Sequence, residues 1–326
     1  MTTSELGVVA IGRNEGERLR ACLTSVIHDA GVTIYVDSGS TDGSAEMARA
    51  LGAVVVDLDV SRPFTAARAR NVGFERLNQL APDLQFVQFV DGDCEVRTSW
   101  LAQATAFLEA NRDVAVVCGR RRERHPERSL YNRLCDLEWD TPVGEARACG
   151  GDALVRLSAL REVGGYRESL IAGEEPELCV RLRARGWRIW RLDAEMTLHD
   201  AGMTRFTQWW QRATRAGFAF AEGARLHGAP PERHWVRESR SALTWGLLLP
   251  FAILASALLW GPWLLLGFVV YPLQVLRLYR RSAGAPGVRA WRAVFMVLGK
   301  FAEASGHLRY LARRWSGGPA QLIEYK

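Results

Sequence analysis

The chain has 326 residues, of which 48% are hydrophobic and 24% charged, with a net charge of +6 and a pI of about 9.2. That length and balance fit a globular core with something added, in one large domain or two smaller ones. The six cysteines (Cys22, Cys94, Cys118, Cys135, Cys149, Cys179) include no Cys-x-x-Cys pair and follow no secretory signal, so they read as reduced, mostly buried thiols of a cytosolic compartment. The basic excess has no nucleic-acid reader motif beside it, which argues against a nucleic-acid partner.

In chain order, Leu6 to Ile11 is a short apolar run and reads as a strand, closed by Gly12-Arg13-Asn14-Glu15-Gly16. Glu17 to Ile27 has helical spacing through Leu19, Leu23, Val26 and Ile27. Val32 to Val36 reads as a second strand entering the polar loop Asp37-Ser38-Gly39-Ser40-Thr41-Asp42-Gly43. A helix over Ser44 to Leu51, a strand at Val54 to Val56 and a helix over Ala66 to Leu77 follow. The next strand ends in Asp91-Gly92-Asp93. This alternation argues for a parallel sheet covered by helices on both faces. In such sheets ligands sit beyond the carboxyl ends of the strands, where Asn14, Asp37, Asp42 and Asp91 all fall. No Gly-x-Gly-x-x-Gly follows the first strand, so the usual dinucleotide fold is not expected.

While the backbone stays extended, Asp91 and Asp93 point to one face. Two carboxylates converging there suit Mg²⁺ or Mn²⁺; a polar turn after a strand fits the same three residues. A carboxylate such as Asp37 can accept from a nucleobase, and Arg68, Arg70 and Asn71 on the next crossover can reach the base or the phosphates. Each of those three equally fits a solvated helix face.

Trp100 to Leu108 reads as a helix, Val114 to Cys118 as a strand, and Gly119 to Glu127 as a charged loop whose arginines fit substrate phosphates or, more plainly, water. Gly150-Gly151 permits close backbone approach. Glu174 and Glu175 precede Pro176, which suits a helix's first position, and Gly186 ends that helix. The helix dipole there favours ionised carboxylates, and a carboxylate so held can act as a general base; helix capping alone is the plainer reading. A short strand from Trp187 to Leu192 and a turn lead to His199, a candidate to complete a metal shell.

Six motifs then occur in order: Ile11-Gly12-Arg13-Asn14-Glu15, Val36 to Gly43, Ala69-Arg70-Asn71-x-Gly73, Asp91-Gly92-Asp93, Gly164-Gly165-Tyr166 and Gly173-Glu174-Glu175-x-Glu177-Leu178. Together they resemble a family 2 glycosyltransferase of the GT-A fold over roughly residues 5–200. The resemblance implies inverting transfer of a sugar from a nucleotide-sugar, most often a UDP-sugar. It implies that Asp37 contacts the base, that Asp91 helps hold the nucleotide, that Asp93 binds the metal and that Glu175 is the catalytic base with Glu174 beside it. Asn14, Glu15, Ser38, Arg70 and Asn71 complete the expected nucleotide site. Glu175 stands where the family usually has Asp, and Ser38 where many members have a second Asp. The Gln-x-x-Arg-Trp motif of processive synthases is absent, since Gln208-Trp209-Trp210-Gln211-Arg212 does not match it; single-sugar addition is expected.

No formal charge lies between Arg240 and Arg277. One bilayer span needs about 20 apolar residues, so this run allows two short spans or a re-entrant hairpin turning at Gly261-Pro262. A buried helical pair in a soluble domain would also fit. Trp245, Trp260, Trp263 and Tyr271 suit interfacial positions, and arginines flank both ends. From Arg277 to Arg314 basic residues greatly outnumber the one acid, Glu303, as expected of a surface facing anionic lipid. Val288 to Trp315 reads as an amphipathic helix lying on a membrane, with Trp291, Val294, Phe295, Leu298 and Phe301 on its apolar side.

The expected organisation is an α/β GT-A catalytic domain with a mostly parallel sheet (1–204), an amphipathic junction (205–240), a hydrophobic hairpin (241–277) and a basic helix with tail (278–326). The expected setting is the cytoplasmic face of the inner (plasma) membrane, with a lipid-linked or cell-envelope glycan as acceptor. A sugar nucleotidyltransferase is the first alternative, weakened by the lack of a Gly-rich, Lys-bearing phosphate loop. A non-catalytic, membrane-anchored glycan-assembly protein is the second, weakened by the joint presence of Asp91, Asp93 and Glu175.

Overall fold

The computed structural model describes residues 5–59, 61–317 and 323. Two units divide the chain, Met1–Thr204 and Arg205–Lys326.

In the first unit the strands and helices run in the order β1 (Leu6–Gly12), α1 (Glu17–Thr24), β2 (Val32–Asp37), α2 (Ser44–Ala50), β3 (Val54–Asp57), α3 (Ala66–Leu80), β4 (Phe86–Asp91), β5 (Cys94–Val96), α4 (Trp100–Ala110), β6 (Val114–Glu123), α5 (Leu130–Glu138), β7 (Gly144–Ala146), β8 (Ala153–Arg156), α6 (Leu157–Glu162), α7 (Glu174–Ala184) and β9 (Arg188–His199). One sheet has the order β3-β2-β1-β4-β8-β6-β9-β5, with β7 beside β9. The pairings β3-β2, β2-β1, β1-β4 and β6-β9 are parallel. Those through β8, β5 and β7 are antiparallel, so the sheet is mixed. The continuous apolar runs of β1, β2 and β4 match their burial on both faces. Winding reverses at β1, which has β2 on one side and β4 on the other. Ligands bind at such a reversal, beyond the strand ends, and the register there sets Gly12 beside Asp37 and Ile11 beside Asp91.

Helix α3 lies across this point. Thr65 caps it, accepting from the Arg68 amide at 3.1 Å. Gly73 lets it approach closely, because a Cβ there would lie 2.3 Å from Val9 Cγ1 and 3.0 Å from Val36 Cγ2. That contact fixes Arg70, one turn earlier, over the ends of β1 and β4.

Three elements differ from expectation. Helix α1 stops at Thr24, not Ile27, because the Ser25 hydroxyl donates to the Cys22 carbonyl at 2.6 Å and accepts from the Val96 amide at 3.0 Å; such local bonds compete with the helix ladder. The expected loop from Gly119 is instead the second half of β6. The strand from Trp187 to Leu192 runs unbroken to His199 as β9. These two pair along most of their length, with register shifts beside Gly119. Their charges are met across the strands and from α5: Arg122 faces Glu195 at 3.3 Å and Arg120 faces Asp136 at 3.3 Å.

The second unit is helical: α8 (Phe206–His227), α9 (Val236–Leu243), a π turn (Thr244–Leu248) continuing into α10 (Leu249–Trp260), a 3₁₀ stretch (Pro262–Val269) continuing into α11 (Val270–Arg281), and α12 (Pro286–Ser316). Two apolar helices, Val236–Trp260 with 25 residues and Pro262–Arg281 with 20, are long enough to cross a membrane. Their apolar side chains point outward, with Leu258 87%, Leu266 75% and Phe251 69% exposed; they are not the buried core pair of a soluble domain. The turn falls at Gly261-Pro262, as expected.

Helix α12 also packs within this unit. Its small and apolar side, including Ala293, Val297, Gly299, Ala302 and Gly306, is buried within this unit. Backbone meets backbone at two crossings with α8: a Cβ on Gly217 would lie 2.0 Å from the Glu303 carbonyl oxygen, and one on Gly306 would lie 1.9 Å from that of Thr214. Helix–helix packing therefore uses a small-residue side of α12, while of the residues assigned to lipid Trp291 and Leu298 are exposed and Val294, Phe295 and Phe301 half-buried. The tail beyond Gly317, apart from Ile323, lies outside the described residues.

Overpacking a close-packed crossing costs about 1–3 kcal/mol. Gly217→Val or Gly306→Val is therefore expected to lower the thermal unfolding midpoint of detergent-purified protein by several degrees. Gly287→Ala, where a Cβ meets nothing within 4 Å, is expected to leave it unchanged or slightly raised.

Candidate active site

Charge organises the carboxyl ends of the strands. Arg70 on α3 is 2% exposed and its guanidinium reaches three carboxylates. One nitrogen lies 2.9 Å from both Glu174 Oε1 and Glu175 Oε1, and the other 2.9 Å from Asp91 Oδ1. The guanidinium also lies over the Tyr166 ring, 5.6 Å from its centroid. Arg121 on β6 lies 3.4 Å from Asp91 Oδ2 and 2.8 Å from Asp152 Oδ2. Asp152 is fully buried; it accepts from the Thr197 hydroxyl at 2.7 Å and from the Asp91 amide at 3.1 Å. Gly151 is required here, since a Cβ would come within 2.6 Å of Arg70 and 2.7 Å of Asp91. Four carboxylates thus share two guanidinium groups.

That imbalance acts on Glu175. Burial and the adjoining Glu174 charge raise its carboxyl, Arg70 opposes them, and the result is a group pushed up to about 7. Such a carboxyl exchanges its proton near neutrality, as a general base requires. Helix α7 begins at Glu174 after Gly173, whose φ is +79°. The two glutamates therefore lie inside its first turn, and Pro176 is the third helical residue rather than the first.

Asp91 and Asp93 do not converge as the extended geometry predicted. Strand β4 ends at Asp91, and Gly92-Asp93 forms a turn. Asp91 turns to the arginines. Asp93, 6% exposed, turns to His199 at the end of β9, with Oδ2 3.3 Å from Nε2. Burial and the nearby Arg121 charge lower the His199 imidazole to about 4, so it is neutral at physiological pH and keeps a lone pair. Its Nδ1 has no hydrogen-bond partner among the described residues. Asp93, Cys94 and His199 form one cluster of a size that can hold a metal, and Asp91, Cys94 and Asp152 form another. Burial raises the Cys94 thiol, and sulfur is a poor donor for Mg²⁺ or Mn²⁺, which favour oxygen. A buried carboxylate facing Nε2 of a neutral imidazole fits a divalent cation held between the two. Asp91 faces the two arginines and belongs to the other cluster, so it is not a ligand beside Asp93 and His199 in this arrangement.

The other expected nucleotide contacts divide. Asp37 is buried; it accepts from the Tyr35 hydroxyl at 2.9 Å and from the Gly39 and Ser40 amides at 3.0 and 2.8 Å. Its immediate work is to shape the loop that follows. Asn14, with φ +56°, ties that loop to the end of β1: its amide donates to Ser40 Oγ at 2.9 Å, and its side-chain oxygen accepts from the Thr41 amide at 2.8 Å. Ser38 is buried beside Asp37, its hydroxyl without a partner among the described residues. Glu15 is half-buried, 2.7 Å from Arg18 and packed over Gly92. Arg68, Arg70 and Asn71 are all engaged within the protein. Arg68 donates to the carbonyls of Arg62 and Pro63, each at 2.9 Å, and to that of Asp59. Asn71 donates to the Tyr166 carbonyl and accepts from its amide, both at 2.8 Å, and so holds the Gly164-Gly165-Tyr166 turn.

Arg121, Asp152 and Thr197 were not read from the sequence as site residues. The Gly150-Gly151 pair flagged the neighbourhood of Asp152, but Arg121 was hidden in an arginine run read as a loop.

Residues 8–155 match the family described as glycosyl transferase family 2. Over 322 residues the chain is 21% identical to the glycosyltransferase AglE of Haloferax volcanii, covering 92% of this chain and 94% of that one. It is 28% identical over 271 residues to the succinoglycan biosynthesis protein ExoA of Rhizobium meliloti, covering 77% and 81%. Its fold is similar to that of the mannosyltransferase PcManGT from Pyrobaculum calidifontis, solved with GDP-Man and Mn²⁺. The TM-score is 0.65 at 19% identity, over 93% of this chain and 87% of that one. The chain thus carries a glycosyl transferase family 2 domain over residues 8–155, has the GT-A fold and is a glycosyltransferase.

Proposed function

We propose that this glycosyltransferase moves a single sugar, with inversion, from a nucleotide-sugar to a lipid-linked or cell-envelope glycan at the cytoplasmic face of the plasma membrane. The observation that carries the reading is the buried guanidinium of Arg70, which joins Asp91 of the Asp-Gly-Asp turn to Glu174 and Glu175. The donor end and the base end are thereby held at one place.

In this reading Asp93 and His199 hold a divalent cation, which when bound neutralises charge growing on the departing diphosphate. An imidazole among the donors suits Mn²⁺ better than Mg²⁺, and Mn²⁺ is the ion named for the Pyrobaculum neighbour. Glu175 removes the proton from an acceptor hydroxyl as that oxygen attacks the anomeric carbon. Arg70 holds one oxygen of Glu175, leaving the other to face the hydroxyl. Attack opposite the leaving diphosphate inverts the configuration and needs no covalent enzyme intermediate. A UDP-sugar or a GDP-sugar serves equally as donor in this scheme.

The membrane setting is supported by the two outward-facing apolar helices and by the basic residues that follow them. A covalent tether to the bilayer keeps a catalytic domain among lipid-linked acceptors. The Rhizobium relative is named for succinoglycan biosynthesis, which supports a glycan acceptor.

The reading is tested by release of UDP or GDP from a nucleotide-sugar panel, using detergent-purified protein with and without Mn²⁺. Mn²⁺-dependent release from one donor is expected, falling at least about a hundredfold in Asp93→Ala and Glu175→Gln. Metal-independent release, or activity retained in both variants, contradicts it. In cell fractionation the protein is expected in the membrane pellet after washes at low and high salt. Recovery in the soluble fraction without detergent contradicts the membrane assignment alone.

A further inference from the structure

One side chain beside both halves of the site has no part in the scheme above. Trp139 follows the last turn of α5. Its ring meets the His199 imidazole edge to face, with centroids 4.8 Å apart, and the Arg121 guanidinium lies 5.5 Å from its centroid. His199 is the partner of Asp93, and Arg121 the partner of Asp91. The indole thus spans the two places to which the Asp-Gly-Asp turn sends its carboxylates.

Trp139 is half-buried and does not belong to the hydrophobic core of this unit. Its indole N–H meets no acceptor among the described residues and is not enclosed. An indole N–H that is open to solvent and unused within the protein is available to donate to a ligand. The ring is firmly placed. Asp136, three residues earlier, binds Arg120 at 3.3 Å and the Glu123 amide at 3.0 Å. Asp140, the next residue, binds Arg120 at 3.3 Å and the buried Arg191 at 3.6 Å. Two carboxylates thus pin the segment to β6 and β9 on either side of the indole. The exposed Thr141, Pro142 and Val143 follow as a rim.

We propose that Trp139 is the platform for a pyranose ring, its N–H donating to a sugar hydroxyl and its apolar surface packing on the C–H face of the ring. A pyranose has one face of C–H bonds and an edge of hydroxyls, and an indole offers an apolar body with a single donor. The donor sugar and the acceptor's terminal sugar share this chemistry. The inference rests on the sugar-transfer reading, which places sugar carbon between the Asp93–His199 side and the Glu175 side.

The test compares wild type, Trp139→Phe and Trp139→Ala by calorimetry in detergent. The probes are Mn²⁺ alone, the nucleoside diphosphate of the donor identified by the panel, that nucleotide-sugar, and octyl glucoside or octyl mannoside added to the Mn²⁺–nucleoside diphosphate complex. Trp139→Ala is expected to weaken one of the two sugar-bearing probes by about tenfold or more. Mn²⁺ and the nucleoside diphosphate should stay within about twofold. Trp139→Phe, which keeps the ring but not the N–H, should recover most of the loss. Loss on the nucleotide-sugar assigns the platform to the donor; loss on the octyl glycoside assigns it to the acceptor. No loss on either probe overturns the proposal. So does an equal loss on Mn²⁺ and the diphosphate, which would make Trp139 a mere support for His199 and Arg121. A wild-type protein that binds no nucleoside diphosphate with Mn²⁺ overturns the sugar-transfer reading itself, and is recognised without any variant.

Discussion

A guanidinium buried among carboxylates is the constraint on which the catalytic unit depends. Arg70 is almost wholly removed from water, yet Asp91, Glu174 and Glu175 each lie 2.9 Å from it. An ion taken into such a place is tolerated only when partners and geometry compensate for lost hydration. Removing the arginine would leave three carboxylates facing one another, a loss of about 3–5 kcal/mol by comparison with other broken buried pairs. Holding it leaves a residual negative excess, because Asp152 and Arg121 add one charge of each sign. That excess disfavours ionisation of Glu175 and invites a cation at Asp93 and His199.

The fold supplies this arrangement from separate stretches of chain. Arg70 comes from the helix that crosses back over β1, Asp91 from the end of β4, and the glutamates from the first turn of α7. Arg121 and His199 come from the paired strands β6 and β9. Gly73 and Gly151 admit the close approaches, one between helix and sheet and the other between loop and ion pair. Local bonds then finish the site: Asn71 fixes the turn before α7, and Asp37 fixes the loop after β2.

Strands β1, β2 and β4 were legible because each is a nearly continuous apolar run buried on both faces, and β3 because its three successive valines are β-branched. The acidic and glycine-rich motifs also marked the right end of the sheet. The second half was harder for a physical reason. In β6 and β9 charged residues lie within the strands, four of them consecutive in β6, and are satisfied by neighbours distant in sequence, such as Arg122 by Glu195 and Arg120 by Asp136. Locally, such a strand looks like a solvated loop. The divergence of Asp91 and Asp93 was equally hidden, since it depends on a turn at Gly92 and on arginines contributed by two other elements. Arg68 and Asn71 carry the right chemistry for a nucleotide but spend it on nearby backbone. In the helical unit, periodicity showed that α12 has an apolar side. It did not show that Gly217 and Gly306 let α8 pack against a neighbouring small-residue side.

The account rests on Arg70 setting the ionisation of Glu175, and the most direct test is the pH dependence of turnover at saturating Mn²⁺ and donor. For wild type the rate should rise through a limb near the value of about 7 found for Glu175, because the base is protonated and inactive below it. Glu175→Gln should abolish the limb along with most of the rate. In Arg70→Lys, whose point charge replaces the planar fork, the limb should move upward by about one unit. A limb that keeps its position in Arg70→Lys, or that persists in Glu175→Gln, would contradict the account.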